Sequence, residues 1–101
     1  MSKKHKVILL PIAFNDLDDI FLYITQDNPT AAEEMINKIE DSIAQLKTFP
    51  LIGPIPKDLR LKQEGYRMLV VENYIVFYVV EDDVVQIRRI LHGSMKYSYL
   101  L

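Results

Sequence analysis

Residues 66–97, YRMLVVENYIVFYVVEDDVVQIRRILHGSMKY, decide the fold of this chain. Three short runs rich in β-branched and aromatic residues are separated by two polar pairs, Glu72-Asn73 and Asp82-Asp83, and the last run stops at Gly93. That pattern predicts an antiparallel β-meander. With Glu72-Asn73 as a two-residue turn, Val71 faces Tyr74, Leu69 faces Val76 and Arg67 faces Tyr78. With Asp82-Asp83 as the next turn, Val80 pairs with Val85. Period-two alternation then puts Arg67, Leu69, Val71, Tyr74, Val76, Tyr78, Val80, Val85, Ile87, Arg89 and Leu91 on one face. Tyr66, Met68, Val70, Ile75, Phe77, Val79, Gln86, Arg88, Ile90 and His92 take the other. Both faces are apolar. The first is expected to pack on helices, and the second to be partly exposed or covered by a partner. A one-residue slip in either turn would exchange the two sets.

Upstream, Lys6 to Pro11 reads as a strand whose proline suits its end or an edge. From Ile12 the period changes, and Leu17, Ile20, Phe21 and Ile24 form one apolar stripe of a helix. Asp16, Asp18 and Asp19 lie near its start, where carboxylates favour the positive end of the helix dipole. Asn28-Pro29 breaks this helix and opens another, Asn28 as cap and Pro29 at the first helical position. Ala32, Met35, Ile36, Ile39, Ile43 and Leu46 line its inner face. Glu33, Glu34, Lys38, Glu40, Asp41 and Lys47 lie outside. Two helices joined so tightly form an antiparallel hairpin. Residues 49–57, FPLIGPIPK, hold three prolines and a glycine and make a fixed crossing loop. No repeat, low-complexity tract or linker interrupts residues 1–101, which read as a single domain.

Composition narrows the function. Half of the 101 residues are hydrophobic, as in a compact globule. The absence of cysteine excludes disulfides and thiolate metal sites and suits a reducing cytoplasm. The apolar run after Lys6 is too short to span a membrane and reads as a strand rather than a signal peptide. The net charge is −2, with −3 on residues 1–56 and +1 on residues 57–101, which argues against nucleic-acid binding by bulk electrostatics. The three glycines form no phosphate loop, and there is no nucleophile elbow. His5 and His92 stand far apart without a ligand pattern, so neither metal nor cofactor is expected.

The strand Tyr74 to Tyr78 and the R-x-L-H-G corner from Arg89 to Gly93 resemble the C-terminal sheet of the RelE/ParE superfamily of type II toxin–antitoxin toxins. The order strand, helix hairpin, loop and meander is similar over nearly the whole chain. The resemblance implies an α+β fold with the hairpin packed on the sheet. It also implies a cytoplasmic growth-inhibiting toxin held in a hetero-oligomer by a cognate antitoxin from the same operon. Two activities compete. A ParE-like toxin poisons DNA gyrase by contact; a RelE-like toxin is an enzyme, a metal-independent endoribonuclease that cleaves mRNA on the ribosome. The enzyme needs cations for the phosphate and groups that move protons. Yet Ile75 stands where relatives carry an arginine, and Ser94 or Met95 stands where another often follows the last strand. The first activity is therefore preferred.

If the chain is a ribonuclease, Arg67 and Arg89 would hold phosphate while His92 or Tyr97 moves protons. The plainer readings are that both arginines pair with acids such as Asp18 or Asp19, that His92 is a hydrogen-bonded strand end, and that Tyr97 and Tyr99 pack the tail on the sheet. Partner contact is expected through Met68, Phe77, Ile90, Tyr97 and Tyr99.

Overall fold

The computed structural model describes residues 4–101. In order these form β1 (Lys6–Leu9), α1 (Pro11–Thr25), α2 (Pro29–Gln45), α3 (Leu59–Gln63), β2 (Tyr66–Val71), β3 (Tyr74–Glu81), β4 (Val84–His92) and a short 3-10 turn at Tyr97–Tyr99. The sheet runs β1-β4-β3-β2, with β1 parallel to β4 and the other pairs antiparallel. The α+β architecture is the one expected.

Pro11 belongs to the helix rather than to the strand. Leu10 is extended (φ −66°, ψ 152°), as a residue preceding proline prefers, and Pro11 opens α1 where no N–H is required. The first turn of α1 consequently contains no acid, and Asp16 lies a turn further in than the dipole reading supposed. Asn28 caps α2 as expected, its Oδ1 accepting from the Ala31 N–H at 3.1 Å, with Pro29 first in the helix. The hairpin lays Ala13, Ile20, Ile39, Ile43 and Leu46 on Val76, Tyr78, Val85 and Ile87, all buried. Phe21, expected in that stripe, lies at its exposed margin.

Both predicted turns are present, with Val71 opposite Tyr74, Arg67 opposite Tyr78 and Val80 opposite Val85. The first residue of each, Glu72 (φ 55°) and Asp82 (φ 53°), adopts the left-handed conformation. The alternation fails further along β4. Tyr78 pairs with Ile87 but Phe77 pairs with Arg89, so Arg88 is an extra residue, a β-bulge. Beyond it every side chain changes face. Ile90 joins the helix-side core and Leu91 packs with Phe77 and Val79, the reverse of the expected assignment.

The second sheet face is also covered. Leu61 of α3 and the C-terminal residues Tyr97 and Leu101 close over Tyr66, Phe77, Val79 and Leu91. The Tyr97 ring lies 4.8 Å from that of Phe77 at 43°. Arg60 holds the tail by donating to the carbonyls of Ser98 (2.6 Å) and Leu101 (3.2 Å). The tail itself supplies the cover assigned to a partner.

Candidate functional site

β1 pairs with β4 only as far as Ile87, and the chain then turns into α1. Beyond that point no strand lies beside β4 among the described residues. Asp16 takes over the vacated edge. Its Oδ2 accepts from the Ile90 N–H (2.9 Å) and from Arg89 Nε (2.8 Å), and its Oδ1 accepts from Arg89 Nη2 (2.9 Å). Nη1 of Arg89 lies 3.4 Å from the Leu100 carbonyl. The bulge makes this possible by placing Arg89 in the Phe77 row beside the tail, from where it reaches round the open edge to α1. The hydrogen bonds to Asp16 raise the Arg89 pKa above its ordinary value, against the smaller effect of burial.

Next to this pair lies a cleft of about 760 Å³. Asp19, Ile20, Tyr23 and Ile24 of α1 form one wall, β4 from Arg89 to His92 another; Met35, Tyr74 and Met95 complete its apolar lining. In the antiparallel pairing of β4 with β3, Ile90 and His92 turn their main-chain groups away from β3. Asp16 uses the Ile90 N–H; the Ile90 carbonyl and His92 N–H face the cleft. Tyr74 stands edge-on to the His92 ring, 5.3 Å centre to centre at 84°. Burial raises the Tyr74 pKa, and the neighbouring Tyr23 hydroxyl adds to the shift. His92 is exposed, and its Nδ1 accepts from the Ser94 N–H (3.1 Å) with Ser94 Oγ 2.7 Å away.

The residues proposed for phosphate chemistry do not converge. Arg67 lies on the helix side, donating to the carbonyls of Leu51 (3.2 Å) and Gly53 (2.9 Å), whereas Arg89 lies across the sheet with Asp16. The bulge is why the shared face expected for them is not formed. Asp16, rather than Asp18 or Asp19, is the acid that pairs. Ile75 packs on the second core, as does Tyr97, half-buried against Phe77. Phe77 and Ile90, assigned to partner contact, are 0% and 1% exposed, Met68 is half-buried, and Tyr99 is 86% exposed. Among the described residues no group of three or more His, Asp or Glu is placed to hold a metal ion.

Sequence reasoning missed Asp16, Tyr23 and Tyr74 as a group. One signal was present: Asp16 falls in helical register with Ala13 and Ile20 on the buried face of α1, where an acid needs a partner.

Residues 7–97 match the family described as "ParE toxin of type II toxin-antitoxin system, parDE". The chain belongs to the ParE toxin family. It is 35% identical over 81 residues to Toxin ParE3 of Caulobacter vibrioides, covering 79% of this chain and 78% of that protein. The fold is similar to a chromosomal ParDE system from P. aeruginosa (TM-score 0.73, 22% identity, 90% of this chain and 98% of that one). It is also similar to the RelBE2 toxin–antitoxin complex of Mycobacterium tuberculosis (TM-score 0.63, 21% identity, 88% of this chain and 98% of that one). As a ParE-like toxin of a type II toxin–antitoxin module, the chain sits on the branch preferred from its own residues, and the RelE-like alternative is less favoured. No helix among the described residues is long and apolar enough to cross a membrane.

Proposed function

We infer that this ParE toxin inhibits growth by binding DNA gyrase in the cytoplasm rather than by cleaving RNA, and that a cognate antitoxin neutralises it by occupying the cleft beside β4. One observation carries the target reading: both arginines that would serve a phosphate are committed within the molecule, Arg67 to loop carbonyls and Arg89 to Asp16. An RNA-cleaving site requires cations free to stabilise phosphorane charge. Support for the antitoxin reading comes from the uncovered β4 edge and the apolar cleft walls, which suit an extended peptide segment. The relatives of similar fold include toxin–antitoxin assemblies.

The deciding experiment induces the toxin without its antitoxin and follows two readouts. Gyrase-linked DNA breaks with intact transcripts are expected. Early loss of mRNA at ribosomes, without such breaks, would replace this reading by the ribonuclease one.

A further inference from the structure

The carboxylate left unpartnered at the cleft, and the aromatic rings beside it, suit a positive charge better than a negative one. Asp19 lines it and has no ion-pair or hydrogen-bond partner among the described residues. The rings of Tyr23, Tyr74 and His92 line it too, Tyr74 and His92 already packed edge to face. The single cation in the lining, Arg89, spends its donors on Asp16 and the Leu100 carbonyl. Ile20, Ile24 and Met35 supply apolar surface for an aliphatic stem. The surrounding helix hairpin, residues 11–45, carries eight carboxylates against Lys38, a net −7 on a chain whose total is −2.

We propose that the cleft is a receptor for an arginine side chain presented by an extended, otherwise apolar segment of the antitoxin. The partner's identity rests on the reading given above; the chemistry of the pocket does not. A planar guanidinium can stack on the tyrosine and histidine faces while donating in a fork to the Asp19 carboxylate. Its methylene stem lies along Ile20, Ile24 and Met35, and its main chain meets the Ile90 carbonyl and the His92 N–H. The acidic hairpin draws the cation in over a longer range, as summed surface charge does.

The test uses an acetylated, amidated peptide of sequence leucine–alanine–arginine–alanine–leucine, titrated onto the full chain by NMR. Its twin carries citrulline, neutral and nearly the same shape, in place of arginine. The arginine peptide is expected to shift the resonances of Tyr23, Tyr74 and His92 and to bind about tenfold more tightly than the citrulline peptide, about one charge-assisted contact's worth. Asp19→Asn should remove that preference. Asp41→Asn, an equal loss of charge on the exposed side of α2, should leave it unchanged. Equal binding of the two peptides, or a preference that survives Asp19→Asn, overturns the proposal. A preference lost equally with Asp41→Asn overturns it as well, since bulk charge would then explain the effect. The antitoxin encoded beside the gene separates this from the broader reading. Its binding to the wild type with no loss in Asp19→Asn sinks the arginine receptor alone, whereas failure to bind the wild type sinks the antitoxin reading.

Discussion

Asp16 satisfies three donors at once: two nitrogens of Arg89 and the Ile90 N–H. Removing one partner of a buried pair strands the other's charge, which typically costs about 3–5 kcal/mol. Asp16→Ala should lower stability by that order in urea denaturation. Asp16→Leu combined with Arg89→Met should recover much of it, because no charge is left buried. Tyr78 has a comparable role for the crossing loop. Its hydroxyl accepts from the Gly53 N–H at 3.0 Å, and the loop passes so close that a Cβ on Gly53 would stand 2.8 Å from both that oxygen and the Met68 carbonyl. Tyr78→Phe leaves a buried N–H unpaired and should cost about 1–3 kcal/mol. It also has a pH signature. Burial raises the Tyr78 pKa above 10.0, outweighing the Gly53 bond and Arg67, and burial raises Tyr74 likewise. A phenol whose folded pKa exceeds its unfolded one holds its proton more tightly in the native state. Its contribution is complete below the unfolded value and lost as pH climbs through the folded one. Stability should therefore fall from about pH 10 upward, less steeply in Tyr78→Phe; urea midpoints between about pH 9 and 11 read both.

The elements whose signals are local were legible in the sequence. Alternation located β2 and β3, the polar pairs located both turns, and Asn28-Pro29 located the start of α2. The β4 bulge was not legible. The run Ile87-Arg88-Arg89-Ile90 carries no glycine or proline to mark an inserted residue, and a period-two reading passes through it. What decides it is tertiary: Asp16 holds Arg89 and Ile90 in the shifted register. The five residues of α3, capped by Asp58 on the Leu61 N–H at 3.0 Å, are too few to show a period. With α3 unread, and tail packing by Tyr97 and Tyr99 weighed only against a catalytic or partner role for the tail, the sequence leaves the second sheet face partly exposed or assigned to a partner. Both α3 and the tail close over it, and the tail depends on Arg60. Deleting residues 97–101 should uncover Phe77 and Leu91, at about 1.5–3 kcal/mol for each large side chain returned to water, and raise binding of a hydrophobic dye. Arg60→Ala should instead speed amide exchange in residues 97–101 while leaving the unfolding midpoint nearly unchanged. A large midpoint loss in that variant would mean the tail is integral to the core rather than strapped onto it.

At the scale of the whole molecule, charge is segregated: the hairpin holds −7 and the remaining residues +5. The candidate cleft sits along the acidic side, walled by α1, while no uncommitted pair of arginines faces a common point. That arrangement separates the two possible activities in one variant. Were His92 a general acid or base, its loss would cost roughly 10²–10⁴-fold in rate and nearly abolish toxicity. His92 instead stands exposed at the end of β4, with Ser94 on Nδ1 and the Tyr74 ring against its edge. A toxin acting by contact loses only the area of one small ring. His92→Ala is accordingly expected to keep its growth inhibition, measured as colony survival after induction at matched protein levels. The same substitution removes one ring of the cleft, so it should weaken neutralisation by the co-expressed antitoxin. Toxicity retained with rescue impaired is the combination that contact poisoning predicts. Toxicity lost in a stably folded His92→Ala variant would return His92 to the catalytic role and the chain to RNA cleavage.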